Sequence, residues 1–148
     1  MLEDSFIEVY TKFKLHFYRE IFSGFQCREA TLTAVETFCM EIIQALKEPT
    51  INEFASFVNI SSPNAAYKVN SLIQKGYVEK VQSPKDRREY HLRPTQKYMD
   101  YYNISRQYMH KVVDRVKERF TPEETEQLDR MLQVVGEELM PEVTIKNP

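Results

Sequence analysis

The sequence predicts a mainly α-helical fold interrupted by one small β-hairpin, on three observations. Apolar residues recur at steps of three and four over most of the 148 positions, which is helical spacing. Only three glycines are present, so long helices fit better than many tight turns. After Lys75-Gly76 the pattern switches to alternation in Tyr77-Val78-Glu79-Lys80-Val81 and again in Tyr90-His91-Leu92. Between these strands lies a polar connection with Pro84 and an unbroken charge run from Lys85 to Arg88. An apolar content of 42% is enough for a packed core, and the length suits one domain, residues 1–148, rather than two.

The elements follow in order. From Leu2 to about Phe22, Phe6, Tyr10, Phe13, Phe17 and Ile21 form an aromatic stripe on a first helix, and a loop with Gly24 is expected from Ser23 to Thr33. A second helix should bury Val35, Phe38, Cys39, Ile42, Ile43 and Leu46 and end at Lys47-Glu48-Pro49. Thr50 and Glu53 have the spacing of a capping box, opening a short helix with Ile51, Phe54, Ala55 and Val58 inward. After Asn59-Ile60, Ser61 or Ser62 caps the next helix. Pro63 fits its first turn, where no amide hydrogen is needed. That helix should bury Ala66, Val69, Leu72 and Ile73 and stop at Gly76. Thr95 opens a long helix carrying Met99, Tyr102, Met109, Val112, Val113 and Val116. Thr121-Pro122-Glu123-Glu124 is a restart signal for a last helix with Leu128, Met131, Leu132, Val135 and Leu139, ending near Pro141.

Charge is unevenly spread. The formal net charge is −2, yet from Lys68 to Lys97 there are eight basic and three acidic residues, an excess of +5 that leaves −7 elsewhere. A basic face on an acidic body is the electrostatic footprint of a DNA reader. Enzymatic chemistry finds no support: there is no nucleophile elbow, no phosphate-binding loop and no metal-binding pair, so neither catalysis nor a cofactor is expected. His16, His91 and His110 are scattered without ligand spacing. Two cysteines, Cys27 and Cys39, make no disulfide framework. With no signal-like N-terminus and no membrane-length apolar run, a cytoplasmic protein with no membrane partner is expected.

Lys75-Gly76-Tyr77-Val78-Glu79-Lys80, then Asp86-Arg87-Arg88, then Leu92 and Thr95, all behind two short helices, resembles the multiple-antibiotic-resistance regulator (MarR) family of winged helix-turn-helix transcription factors. The resemblance covers nearly the whole chain. It implies a winged lobe at about 31–95 and a homodimer built from helices at about 2–22 and 96–140. It further implies a pseudo-palindromic operator, repression as the common mode, and release by a small molecule, an oxidant or a metal. Pro94, where the family has leucine, and Tyr98, where glycine is frequent, depart from the pattern. They bear on the angle between wing and long helix.

The same resemblance, with base-edge chemistry, nominates an interface to double-stranded DNA. Asn64, Tyr67 and Lys68 point outward from the second helix of the pair, where asparagine can read adenine and lysine can read guanine or hold a phosphate. Ser61, Ser62 and the helix amides suit phosphate oxygens. Arg88 matches the family's wing arginine, which enters the minor groove, and Asp86 matches the acid that positions it. Lys85, Arg87 and Arg93 are expected phosphate contacts. For an effector, the nine tyrosines and nine phenylalanines offer apolar walls with hydroxyl handles, suited to a small aromatic ligand. Phe13, Phe17, Tyr98 and Tyr102 are the candidates, with packing of the dimer core as the plain alternative. Cys27 beside Arg28 would allow a thiol-sensing regulator of the same fold. A winged-helix module that binds protein rather than DNA is the remaining alternative, and would have the basic excess at Lys85 to Arg93 absent or neutralised.

Overall fold

The computed structural model describes residues 1–26 and 32–145 and, within them, all side chains except those of 24–26 and 101–105. The helices are α1 (Leu2–Gln26), α2 (Ala34–Leu46), α3 (Ile51–Val58), α4 (Ser62–Gln74), α5 (Gln96–Arg119) and α6 (Pro122–Glu138). Strands β1 (Val78–Gln82) and β2 (Tyr90–Pro94) lie between α4 and α5. The chain divides into two compact units, 1–105 and 106–147, with the boundary inside α5.

In the first unit α2, α3 and α4 start and stop for local reasons. Thr33 and Thr50 open α2 and α3 with complete capping boxes to Glu36 and Glu53. Asn59, with φ of 61°, takes the left-handed turn between α3 and α4 that an asparagine tolerates. At the end of α4 the Gly76 amide donates to the Ile73 carbonyl and the Tyr77 amide to the Leu72 carbonyl, both at 3.0 Å, a Schellman stop. Gly76 sits at φ +82°, with only Lys97 Cδ, at 3.9 Å, near the place of a Cβ. The space is open but the backbone is not. Gly76→Ala is therefore expected to cost about 1–2 kcal/mol in urea unfolding, from conformational strain alone.

The core lies where α2, α3, α4 and the hairpin meet. Met40, Ile43, Phe54, Ala65, Val69, Leu72, Val78, Leu92 and Tyr98 are all buried there. The strands pair antiparallel with Lys80 opposite Leu92 and Val78 opposite Pro94. A further connection comes from the turn before α3. Lys47 and Glu48 both adopt left-handed backbone, φ 53° and 56°. The Leu92 amide then donates to the Pro49 carbonyl at 2.8 Å, and Thr50 forms a bridge with His91. β2 is thus flanked by β1 and by the Pro49–Thr50 turn, which anchors the hairpin to the start of α3.

Several expectations are corrected. Helix α1 runs through Ser23 to Gln26 instead of ending near Phe22, because no stop residue intervenes and a single glycine is tolerated in a helix. In its stripe Ile21 is buried and Phe13 and Phe17 are half-buried, but Phe6 and Tyr10 are exposed. On α2, Val35 and Phe38 are exposed, and Thr37 and Met40 take the inner positions. Thr37 can do so because its hydroxyl donates to the Thr33 carbonyl at 2.9 Å. Ala65, not Ala66, is the fully buried alanine of α4. β1 begins at Val78 because the Tyr77 amide is spent on the helix stop, and β2 continues to Pro94.

The second unit holds the end of α5 and all of α6. Thr121 caps α6 with a capping box to Glu124, and Pro122 occupies its first turn, as the restart signal implies. The helix ends at Glu138, and none of its residues is buried. Leu128, Met131 and Leu132 along it, and Leu139 at its C-cap, are exposed.

Candidate nucleic-acid interface

The two serines before α4 have different partners. Ser61 is the N-cap, its hydroxyl accepting from the Asn64 amide at 3.2 Å. The Ser62 hydroxyl donates to Asn52 Oδ1 at 3.0 Å, tying α4 to α3. With Ala65, Val69 and Leu72 inward, Asn64, Tyr67, Asn70 and Gln74 are exposed, and Tyr67 stands 79% exposed rather than folded onto the core. Of the outward trio Asn64, Tyr67 and Lys68 suggested by the sequence, Lys68 is half-buried, and Asn70 and Gln74 extend the outward face instead. Their spacing from Tyr67 by three and seven residues is the signal that finds them.

The lysines of this helix lie to one side. Lys75 donates to Glu36 Oε1 at 2.6 Å, and Ser71 donates to Glu36 Oε2 at 3.1 Å. Lys68 is half-buried, and its charge counteracts the rise that burial imposes on the Cys39 thiol. Burial disfavours the Glu36 charge, but hydrogen bonds from Lys75, Thr33 and Ser71 outweigh it and hold the carboxyl below its ordinary 4.5. A folded-state value below the unfolded one means stability that is present above the ordinary value and lost as pH falls through the folded one. Glu36→Gln is expected to flatten the acid limb of the lobe's stability profile, read by thermal melts below pH 4.5. A wild-type and variant pair with parallel acid limbs would contradict the assignment. The capping role of Glu36 is local, while its second role depends on a lysine far along the chain.

The hairpin tip is built around Asp86. Its carboxylate accepts from the Arg88 amide at 2.9 Å, Nε at 3.2 Å and Nη2 at 3.3 Å. The Arg88 guanidinium and its amide together hold the Asp86 carboxyl below the usual range. Ser83 Oγ accepts from the Lys85 and Asp86 amides at 3.3 and 3.4 Å, setting the turn. Arg88 itself is 91% exposed, oriented but free to reach outward. Lys85 and Arg87 are exposed, and Gln82 donates to the Arg87 carbonyl at 2.8 Å.

Arg93 differs from expectation. Its guanidinium is ion-paired with Glu48, which raises its pKa. The Glu48 carbonyl lies 2.8 Å from His91 Nδ1. Two cations of the basic stretch are therefore paired within the lobe, Arg93 with Glu48 and Lys75 with Glu36, while Lys85, Arg87 and Arg88 stand at the hairpin tip. Thr50, Asn52, Lys80, Asp86, Arg88 and Tyr90 border one depression of about 510 Å³. Asn52 also binds Ser62, so the start of α4 and the Asp86–Arg88 pair flank a common residue.

The remaining candidates lie on different elements. Tyr98 is fully buried, its hydroxyl donating to Glu41 at 2.9 Å, so it is a core residue and not an open pocket wall. Phe13 and Phe17 are half-buried on α1, and the side chain of Tyr102 and the whole of Cys27 lie outside the described residues. Cys39 is buried. Among the described residues no group of three His, Cys, Asp or Glu could hold a metal ion, and no helix is long and apolar enough to cross a membrane.

A helix pair followed by a hairpin with an oriented, exposed arginine defines a winged helix-turn-helix protein. Residues 32–90 match the MarR family. No curated protein sequence gives a match. The fold is shared with FabT of Streptococcus pneumoniae in complex with DNA, at TM-score 0.62 and 19% identity over 95% of this chain and 99% of that one. A MepR mutant from a multidrug-resistant S. aureus clinical isolate gives 0.67 at 13% identity, covering 95% and 98%. A MarR family protein from Bacillus stearothermophilus gives 0.66 at 14% identity, covering 93% and 92%. Residues 32–90 thus resemble the MarR family, in a chain whose fold is shared with these solved proteins.

Proposed function

We propose that the protein is a transcriptional repressor that binds a pseudo-palindromic operator as a homodimer, with α4 in the major groove and Arg88 in the adjacent minor groove. The observation that carries this reading is the Asp86-held Arg88 beside a helix whose outer face is polar and exposed. A guanidinium fixed before binding loses less freedom on entering a groove, and a narrow minor groove concentrates the negative potential it seeks. Ser61, Ser62, Lys85 and Arg87 supply phosphate contacts, which make binding salt-dependent. Two apolar surfaces support a second copy: Leu2, Phe6, Ile7 and Tyr10 on α1, and Leu128, Met131 and Leu132 on α6 with Leu139 at its C-cap, are exposed. FabT, which shares the fold, is seen in complex with DNA. A small aromatic effector that weakens DNA binding completes the proposal.

The test is a gel-shift titration against DNA from upstream of the protein's own gene, at rising salt, paired with light scattering. A salt-sensitive shift by a particle of dimer mass is expected. A monomer, or a particle indifferent to DNA, would overturn the reading.

A further inference from the structure

The outer face of α4 also indicates which bases it reads. The inner side is set by Ala65, Val69 and Leu72, and the opposite, exposed side carries Tyr67, Asn70 and Gln74 with Asn64 beside them. Neither nearby lysine is among the exposed residues: Lys75, the C-cap, is bound to Glu36, and Lys68 is half-buried. No arginine occurs between Ser61 and Gln74. A helix laid in a major groove would therefore present carboxamides and one phenol ring to the base edges, without a cation.

Base-edge chemistry sorts these groups. Guanine offers two acceptors, O6 and N7, which match Arg or Lys; a carboxamide set against them leaves its own oxygen facing an acceptor. Adenine offers the N7 acceptor beside the N6 donor, which a carboxamide satisfies with both ends. Thymine offers a methyl group that packs against an apolar side chain such as an aromatic ring. We propose that α4 selects A·T base pairs from the major groove, Asn64 and Asn70 reading adenine and the Tyr67 ring packing on thymine methyls. This inference rests on the DNA-binding function proposed above and specifies its target.

Arg88 would by itself favour A·T-rich minor grooves, so the test must separate the two grooves. Sites are selected from random duplexes with the full-length protein. Each A·T pair under α4 in the best site is then replaced by inosine·cytosine, which keeps the minor-groove face of an A·T pair but shows guanine's acceptors in the major groove. The expected result is A·T pairs at the α4 positions, each replacement weakening binding about 5- to 100-fold. Uracil for thymine should weaken binding measurably in the wild type and not in Tyr67→Ala. Selected half-sites with G·C at the α4 positions would overturn the inference. So would inosine·cytosine sites that bind as well as the original, and either result leaves DNA binding itself standing. Failure to bind any duplex in a salt-sensitive way would overturn the proposed function together with this inference.

Discussion

Replacing Arg88 by alanine is expected to weaken operator binding tenfold or more, with no change in the folded protein's melting temperature. The side chain is 91% exposed and its guanidinium is bonded to Asp86. An exposed ion pair of this kind contributes little to stability. What alanine removes is an exposed guanidinium held by Asp86, and tenfold corresponds to about 1.4 kcal/mol of binding free energy. Arg88→Lys should fall between wild type and alanine. It keeps the charge but loses the planar fork that Asp86 grips from two nitrogens. Asp86→Ala should behave similarly, since it leaves the arginine in place without its bracket. Fluorescence titration with a labelled operator reads all three, and an alanine variant that binds as tightly as wild type contradicts the role given to the wing.

Phe54→Ala should have the largest effect on stability, about 3–5 kcal/mol, from lost burial and the cavity left behind. Phe54 is fully buried in the cluster that joins α2, α3, α4 and β2. Domains of this size are stable by about 5–15 kcal/mol, so the loss would leave the lobe partly unfolded at room temperature or close to it. Phe57, on the same helix but 43% exposed, is the control. Phe57→Ala should cost well under half as much. Urea unfolding separates the two, and equal costs would mean that the core is not where the packing puts it.

How much of this was legible in the sequence depends on the range of the interaction. The caps at Thr50 and Thr121, Pro63 in the first turn of α4 and the stop at Gly76 are decided within a few residues, and each forms where its spacing predicts. The Asp86–Arg88 pair is equally local, two residues apart on one turn. Periodicity was less informative about which side of α2 is buried. Val35 and Phe38 look like core by type, yet Thr37 takes an inner place because the helix itself satisfies its hydroxyl. The least legible features are those that join distant segments. Glu48 with Arg93, Glu36 with Lys75 and Tyr98 with Glu41 each pair residues from different elements, and single-chain spacing carries no trace of them. These pairs matter for the site, since they decide which cations of the basic stretch are spent inside the lobe.

The most direct measurement is a hydroxyl-radical footprint of the full-length protein on its selected operator, with wild type and Arg88→Ala side by side. The proposed geometry expects dyad-symmetric protection: two major-groove contacts about one helical turn apart, each flanked by a protected minor groove that opens in the alanine variant. Protection confined to one half-site, or minor grooves equally protected in both proteins, would contradict it.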